Sequence, residues 1–188
     1  MRNNAFSGPL NNAINNLGEG RDFHQVLGVE NRDNWRIYKE MRDSELVVRF
    51  FTFKDTWSSF KGGIRRSMDA FMEAHRHMND VDIAVYREAF LGTLKKVTTV
   101  FRDHAFHRWM PEKRSWRRQV LASLYDAQLF ALPEFSAGGG QRQSGRDYAE
   151  ICGAVCRCRV QQAIDAATNT PQYFKARIMR MVRLLNDV

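Results

Sequence analysis

Along most of this chain, apolar residues return at every third or fourth position, the period of an α-helix that packs on a core by one face. Leu10, Ala13, Ile14 and Leu17 form the first such stripe. Pro9 is suited to a first helical position and Gly18 to a position just past the end. Phe23, Val26 and Leu27 predict a short second helix stopped at Gly28, and the polar residues 29–40 read as a connection. Asp43 is a candidate N-cap for a helix running to about Lys54. Inside it, Leu46-Val47-Val48-Arg49-Phe50-Phe51-Thr52-Phe53 is apolar nearly all round, so this helix is expected to be buried. Arg49 is its one costly residue: it needs a carboxylate or several carbonyls, or else a stem long enough to carry its charge to water.

Ile64, Met68, Phe71 and Met72 mark the next helix, preceded by Gly62-Gly63. Phe90, Leu94, Val97 and Phe101 trace one face of a longer helix, expected from about Asp82 to His107 and broken by Pro111. Val120, Leu124 and Ala127 continue on a helix expected from about Ser115 to Ala131. The glycine- and serine-rich segment 136–145 is a flexible loop by composition, and a helix from about Asp147 to Ala166 follows it. Thr170-Pro171 opens a last helix with the stripe Phe174, Ile178, Met181 and Leu185. No run alternates with period two over a useful length. The expected fold is therefore all-α, an irregular array of about seven or eight helices with no significant sheet. Helices of such unequal length argue against a simple four-helix bundle.

Composition narrows the class. A chain of 188 residues fits a single domain, 1–188, and 44% hydrophobic with 12% aromatic content argues for a filled core. No apolar run approaches the ~18 residues of a membrane span, and the polar N-terminus has no signal-peptide pattern. A cytoplasmic location is expected. Cys152, Cys156 and Cys158 form an odd-numbered cluster, a poor disulfide framework that suits a reducing compartment.

The net charge of +8 is uneven. Residues 1–107 carry 16 basic and 14 acidic side chains, while residues 108–188 carry 13 and 7. The second part is where a polyanion would be drawn. Its densest stretch is Arg108-Trp109-Met110-Pro111-Glu112-Lys113-Arg114-Ser115-Trp116-Arg117-Arg118, where cations alternate with two tryptophans. Guanidinium groups bind phosphates, and indole faces stack on bases or anchor a connection in the core. The nucleic-acid candidates are Arg108, Lys113, Arg114, Arg117 and Arg118, joined by Arg177 and Arg180 on the last helix, where Lys175 and Arg183 add further charge. A solvated basic face is the alternative reading.

Catalytic signatures are scarce. There is no phosphate-loop motif and no Gly-x-Ser-x-Gly elbow. Gly138-Gly139-Gly140 has no following lysine to reach a phosphate, and reads as a linker. On a helix Cys152 and Cys156 share a face but Cys158 does not, which favours buried thiols over a metal site. His104 and His107 would share one helix face; His75 and His77 would not. Neither pair completes a zinc ligand set, so no metal and no catalytic residue are assigned.

Several segments, in order, resemble the GmrSD-type restriction endonuclease family. They are Arg2 to Asn11 with its Gly8-Pro9 turn, Arg42 to Phe51, Phe101 to Arg108, Arg118 to Ala127, Ala163 to Thr168, and Arg177-Ile178. The likeness is to the helices that follow that family's ParB/sulfiredoxin-like domain. The family's Asp-Gly-Gln-Gln-Arg motif has no counterpart: Gln141-Arg142 is preceded by glycines. No HNH-type pattern occurs either. The resemblance thus implies a non-catalytic helical subunit or truncated remnant of a phage-defence protein, with no cofactor. Its implied partners are DNA and a separately encoded ParB-like or nuclease subunit. A stand-alone protein-interaction module is the alternative, and a hydrolase using His104 and His107 is a third class lacking a full ligand set.

Overall fold

The computed structural model describes residues 7–28, 42–117, 119–136 and 170–187. The chain divides into two compact units, residues 1–94 and 95–188, where the sequence reading expects one domain. Among the described residues there are seven α-helices and one two-stranded antiparallel hairpin. The all-α expectation holds, and no described helix is long and apolar enough to cross a membrane. The connection 29–40, the glycine-rich stretch 137–145, the helix expected at 147–166, the three cysteines and Arg118 lie outside the described residues.

In the first unit, α1 (Pro9–Gly18) and α2 (Arg21–Val26) lead to α3 (Arg42–Phe53). α3 is the core helix its sequence announces: Leu46, Val47, Val48, Phe50, Phe51 and Phe53 are all buried, and so is Arg49. Asp43 stands one residue inside the helix, in its first turn, rather than at the cap expected for it. Its Oδ1 accepts the Ser44 N–H at 2.8 Å, and its Oδ2 lies 3.4 Å from His24 Nε2. A carboxylate at this end is favoured by the helix dipole as well. α1 runs against α3 at close range because Gly18 has no side chain: a Cβ there would stand 2.9 Å from both the Ser44 amide nitrogen and its Oγ. Ser44 Oγ donates to Asn15 Oδ1 at 3.2 Å, tying the two helices.

α4 (Ile64–Ala74) follows Gly63, and it buries Ile64, Met68 and Met72. α5 (Asp80–Phe101) begins where Asn79 and Asp82 exchange hydrogen bonds of 2.9 Å, Asn79 Oδ1 accepting the Asp82 N–H. Phe90 of α5 is the hub of the aromatic core, 5.2 Å from Phe23 edge-on and 5.3 Å from Phe50. Tyr86, one turn earlier, meets Phe51 at 5.1 Å.

In the second unit, the end of α5 differs from the sequence reading. The helix stops at Phe101 instead of reaching His107, because Arg102 adopts a left-handed backbone (φ 47°) and opens a 3-10 turn over Arg102–His104. Phe106 is left-handed too (φ 62°), and its N–H donates to Gln128 Oε1 at 2.8 Å. Strands β1 (Arg108–Met110) and β2 (Ser115–Arg117) then pair as a hairpin. The helix expected from Ser115 accordingly starts later, as α6 (Ala122–Ser136), which packs against α7 (Pro171–Asp187). Tryptophan favours strands, and the Trp109–Trp116 cross-strand pair supplies the stabilisation that a helix over these residues would forgo. α7 buries the predicted stripe, Phe174, Ile178, Met181 and Leu185.

Candidate nucleic-acid interface

The charged segment 108–117 is the hairpin and its turn. Its register sets Trp109 opposite Trp116, Arg108 opposite Arg117 and Met110 opposite Ser115. Side chains alternate across a strand, so the tryptophans share one face and the two arginines the other. The aromatic face is the anchored one. The indole rings meet edge to face at 5.3 Å, and the His104 imidazole lies flat on Trp116, 4.6 Å away and inclined by 10°. Both tryptophans are half-buried, whereas Arg117 and Ser115 are exposed. Partial burial lowers the His104 pKa from its usual 6.5, against the opposing pull of the Asp103 carboxylate.

The turn is a 3-10 segment over Pro111–Lys113, closed by Arg114 in a left-handed conformation (φ 47°). Lys113 and Arg114 are exposed at the tip, with Glu112 beside them. A non-glycine residue in this region costs roughly 1–2 kcal/mol. The tip therefore keeps an arginine where glycine would fit with less strain.

Of the residues proposed from sequence, the fold gathers Arg108, Lys113, Arg114 and Arg117 on this one hairpin. Arg180 lies on the exposed side of α7, as does Arg183, and Lys175 is half-buried. Arg177 is not a surface residue. Its side chain is fully buried, and Nη2 donates to Asp126 Oδ2 at 2.8 Å, with both side chains at 0% exposure. The guanidinium also lies over the Phe174 ring, 5.1 Å from its centre. Arg177 holds α7 to α6 and is withdrawn from the nucleic-acid candidates. The signal was present in the sequence: Arg177 is three residues after Phe174 and four before Met181, which puts it on the apolar stripe.

The histidine pairs change as well. With α5 ended at Phe101, His104 and His107 are not one helix face: His104 lies on Trp116 and His107 is buried. His75 stacks on Phe71 with its Nδ1 2.9 Å from the Phe71 carbonyl oxygen. Among the described residues no group of three or more His, Cys, Asp or Glu side chains is placed to hold a metal ion. His104 was missed as a support of the basic segment, since nothing in its local sequence announces that Trp116 lies on top of it. No family model, curated protein or solved structure matches the chain.

Proposed function

We propose that this chain is a non-catalytic helical protein that contacts nucleic acid through the hairpin 108–117. The observation that carries the reading is the trio of exposed cations, Lys113, Arg114 and Arg117, on a hairpin whose other face is fastened by Trp109, Trp116 and His104. A short basic hairpin presents charge on an already ordered backbone, so only the side chains remain to be ordered on contact. The resemblance to the GmrSD-type family suggests the biological setting: a helical subunit or remnant of a phage-defence protein, with a ParB-like or nuclease subunit as a further partner. Equilibrium titration of a duplex DNA at several salt concentrations tests the contact. Affinity should fall linearly with salt on a log–log scale, and binding no tighter than that of a near-neutral helical control would remove the proposal.

A second reading, a protein-interaction module, rests on α5. Val81 and Val85 are four residues apart and 74% and 56% exposed, an apolar pair on the helix surface. Co-purification with the product of a neighbouring gene, abolished by Val81→Asp with Val85→Asp, would favour it over the nucleic-acid reading.

A further inference from the structure

The outer face of α5 carries a seam of its own, opposite the buried one. Val81, Val85, Glu88, Gly92, Lys95 and Thr99 follow one another at alternating steps of four and three, the spacing of a coiled-coil contact, and all six are exposed. Gly92 stands inside this seam. Glycine within a helix lowers the helix's stability, and packing within the described chain does not ask for it: an added Cβ would meet no described atom within 4 Å. The missing side chain does allow a second helix to come close, since the side chains at a contact set the distance between helix axes. Charge decides which helix that is. The seam is acidic before Gly92, at Glu88, and basic after it, at Lys95. A copy of the same helix laid antiparallel, with the two-fold axis level with Phe90, sets Val81 against Thr99, Val85 against the Lys95 stem and Glu88 over the Gly92 notch. Glu88 of each copy then lies about 4.5 Å along the axis from Lys95 of the other, at about 1.5 Å per residue. A parallel pair in register would set Glu88 on Glu88 and Lys95 on Lys95. Thr99 Oγ1 donates back to the Lys95 carbonyl oxygen at 2.9 Å, so it brings no unmet hydroxyl into such a contact.

We infer that the outer face of α5 is the interface of an antiparallel homodimer, with Val81 and Val85 as its apolar contacts, Gly92 as the point of close approach, and Glu88 and Lys95 fixing direction and register. This rests on the interaction reading of α5 and names its occupant: a second copy of this chain. The interface is isologous, so each attraction between Glu88 and Lys95 occurs twice.

The test is sedimentation velocity of the full chain across a dilution series, beside co-purification with the neighbouring gene product. The chain alone should form a concentration-dependent dimer. Gly92→Leu fills the notch and should abolish the dimer; leucine is the better helix former at an exposed position, so far-UV circular dichroism should show the fold intact. Glu88→Lys and Lys95→Glu should each raise the dimer dissociation constant about tenfold or more, because two symmetry-related attractions become repulsions. Glu88→Lys combined with Lys95→Glu restores opposite charges across the antiparallel pair and should return the constant close to its original value, a recovery that a role in folding alone would not predict. A monomer at every concentration, a dimer indifferent to Gly92→Leu, or a double variant no tighter than the singles would overturn the homodimer. A monomer that still co-purifies with the neighbouring product through Val81 and Val85 would leave the interaction reading standing without it. A monomer that captures no such partner would remove both.

Discussion

Replacing Arg177 with methionine should cost this protein about 3–5 kcal/mol of folding stability. Arg177 and Asp126 are completely buried, and one 2.8 Å hydrogen bond joins them between α6 and α7. Removing the guanidinium takes a buried cation away from a carboxylate in the packed interface, and that loss of opposite charge, more than the lost bond, sets the magnitude. The loss is a large share of the 5–15 kcal/mol typical of a folded domain. Replacing both partners, Asp126→Leu with Arg177→Met, removes the charges together and should recover most of the loss, because buried ion pairs seldom outperform apolar groups of similar volume. The assay is urea denaturation of the four proteins of the double-mutant cycle. Arg180→Met, on the exposed side of the same helix, serves as the control and should change stability by less than about 0.5 kcal/mol. If Arg177→Met were as mild as Arg180→Met, or if the double variant were as unstable as the single, the assignment of Arg177 to the interior would fail.

Three further outcomes follow from the same structure. Arg114→Gly should leave stability unchanged or raise it by about 1 kcal/mol through relief of the left-handed backbone, while weakening DNA binding; destabilisation on urea titration would show that the turn needs the arginine. Gly18→Ala should destabilise by about 1–3 kcal/mol, since the new methyl group would meet the Ser44 backbone at 2.9 Å and that overlap outweighs the ~1 kcal/mol or less of helix propensity gained; a rise in melting temperature would refute the close α1–α3 approach. The lowered pKa of His104 means that the unfolded chain takes up its proton first, so its contribution to stability is fully present above pH 6.5 and is lost as pH falls through the folded-state pKa. His104→Gln should flatten that part of the stability–pH profile, and an unchanged slope would sink the attribution.

The parts of this molecule legible in sequence are those governed by local period. The stripe Phe90, Leu94, Val97 and Phe101 is buried throughout, and α3 is buried nearly all round, because an apolar residue every three or four positions can be satisfied in only one way. The hairpin escaped because its strands have three residues each, too short for alternation to register, and because its stability comes from pairing across the turn. The end of α5 escaped for a different reason. Arg102, Phe106 and Arg114 all take left-handed backbones without being glycine, so no residue type marks the places where the chain turns. For the candidate site, charge density picks out the segment 108–118, but only the register separates the cationic face from the aromatic one. Arg177 was misread because a step of three toward Arg180 looks like one charged side, whereas the step from Phe174 puts it inside.

Amide hydrogen exchange of the full chain, with and without a short duplex DNA, locates the surface that meets nucleic acid. Added protection should concentrate in residues 108–117, where the exposed cations of the hairpin would meet the phosphates, with little change around Val81 and Val85. Protection centred on that part of α5 with an unaffected hairpin, or no protection at saturating DNA, would contradict the proposed function.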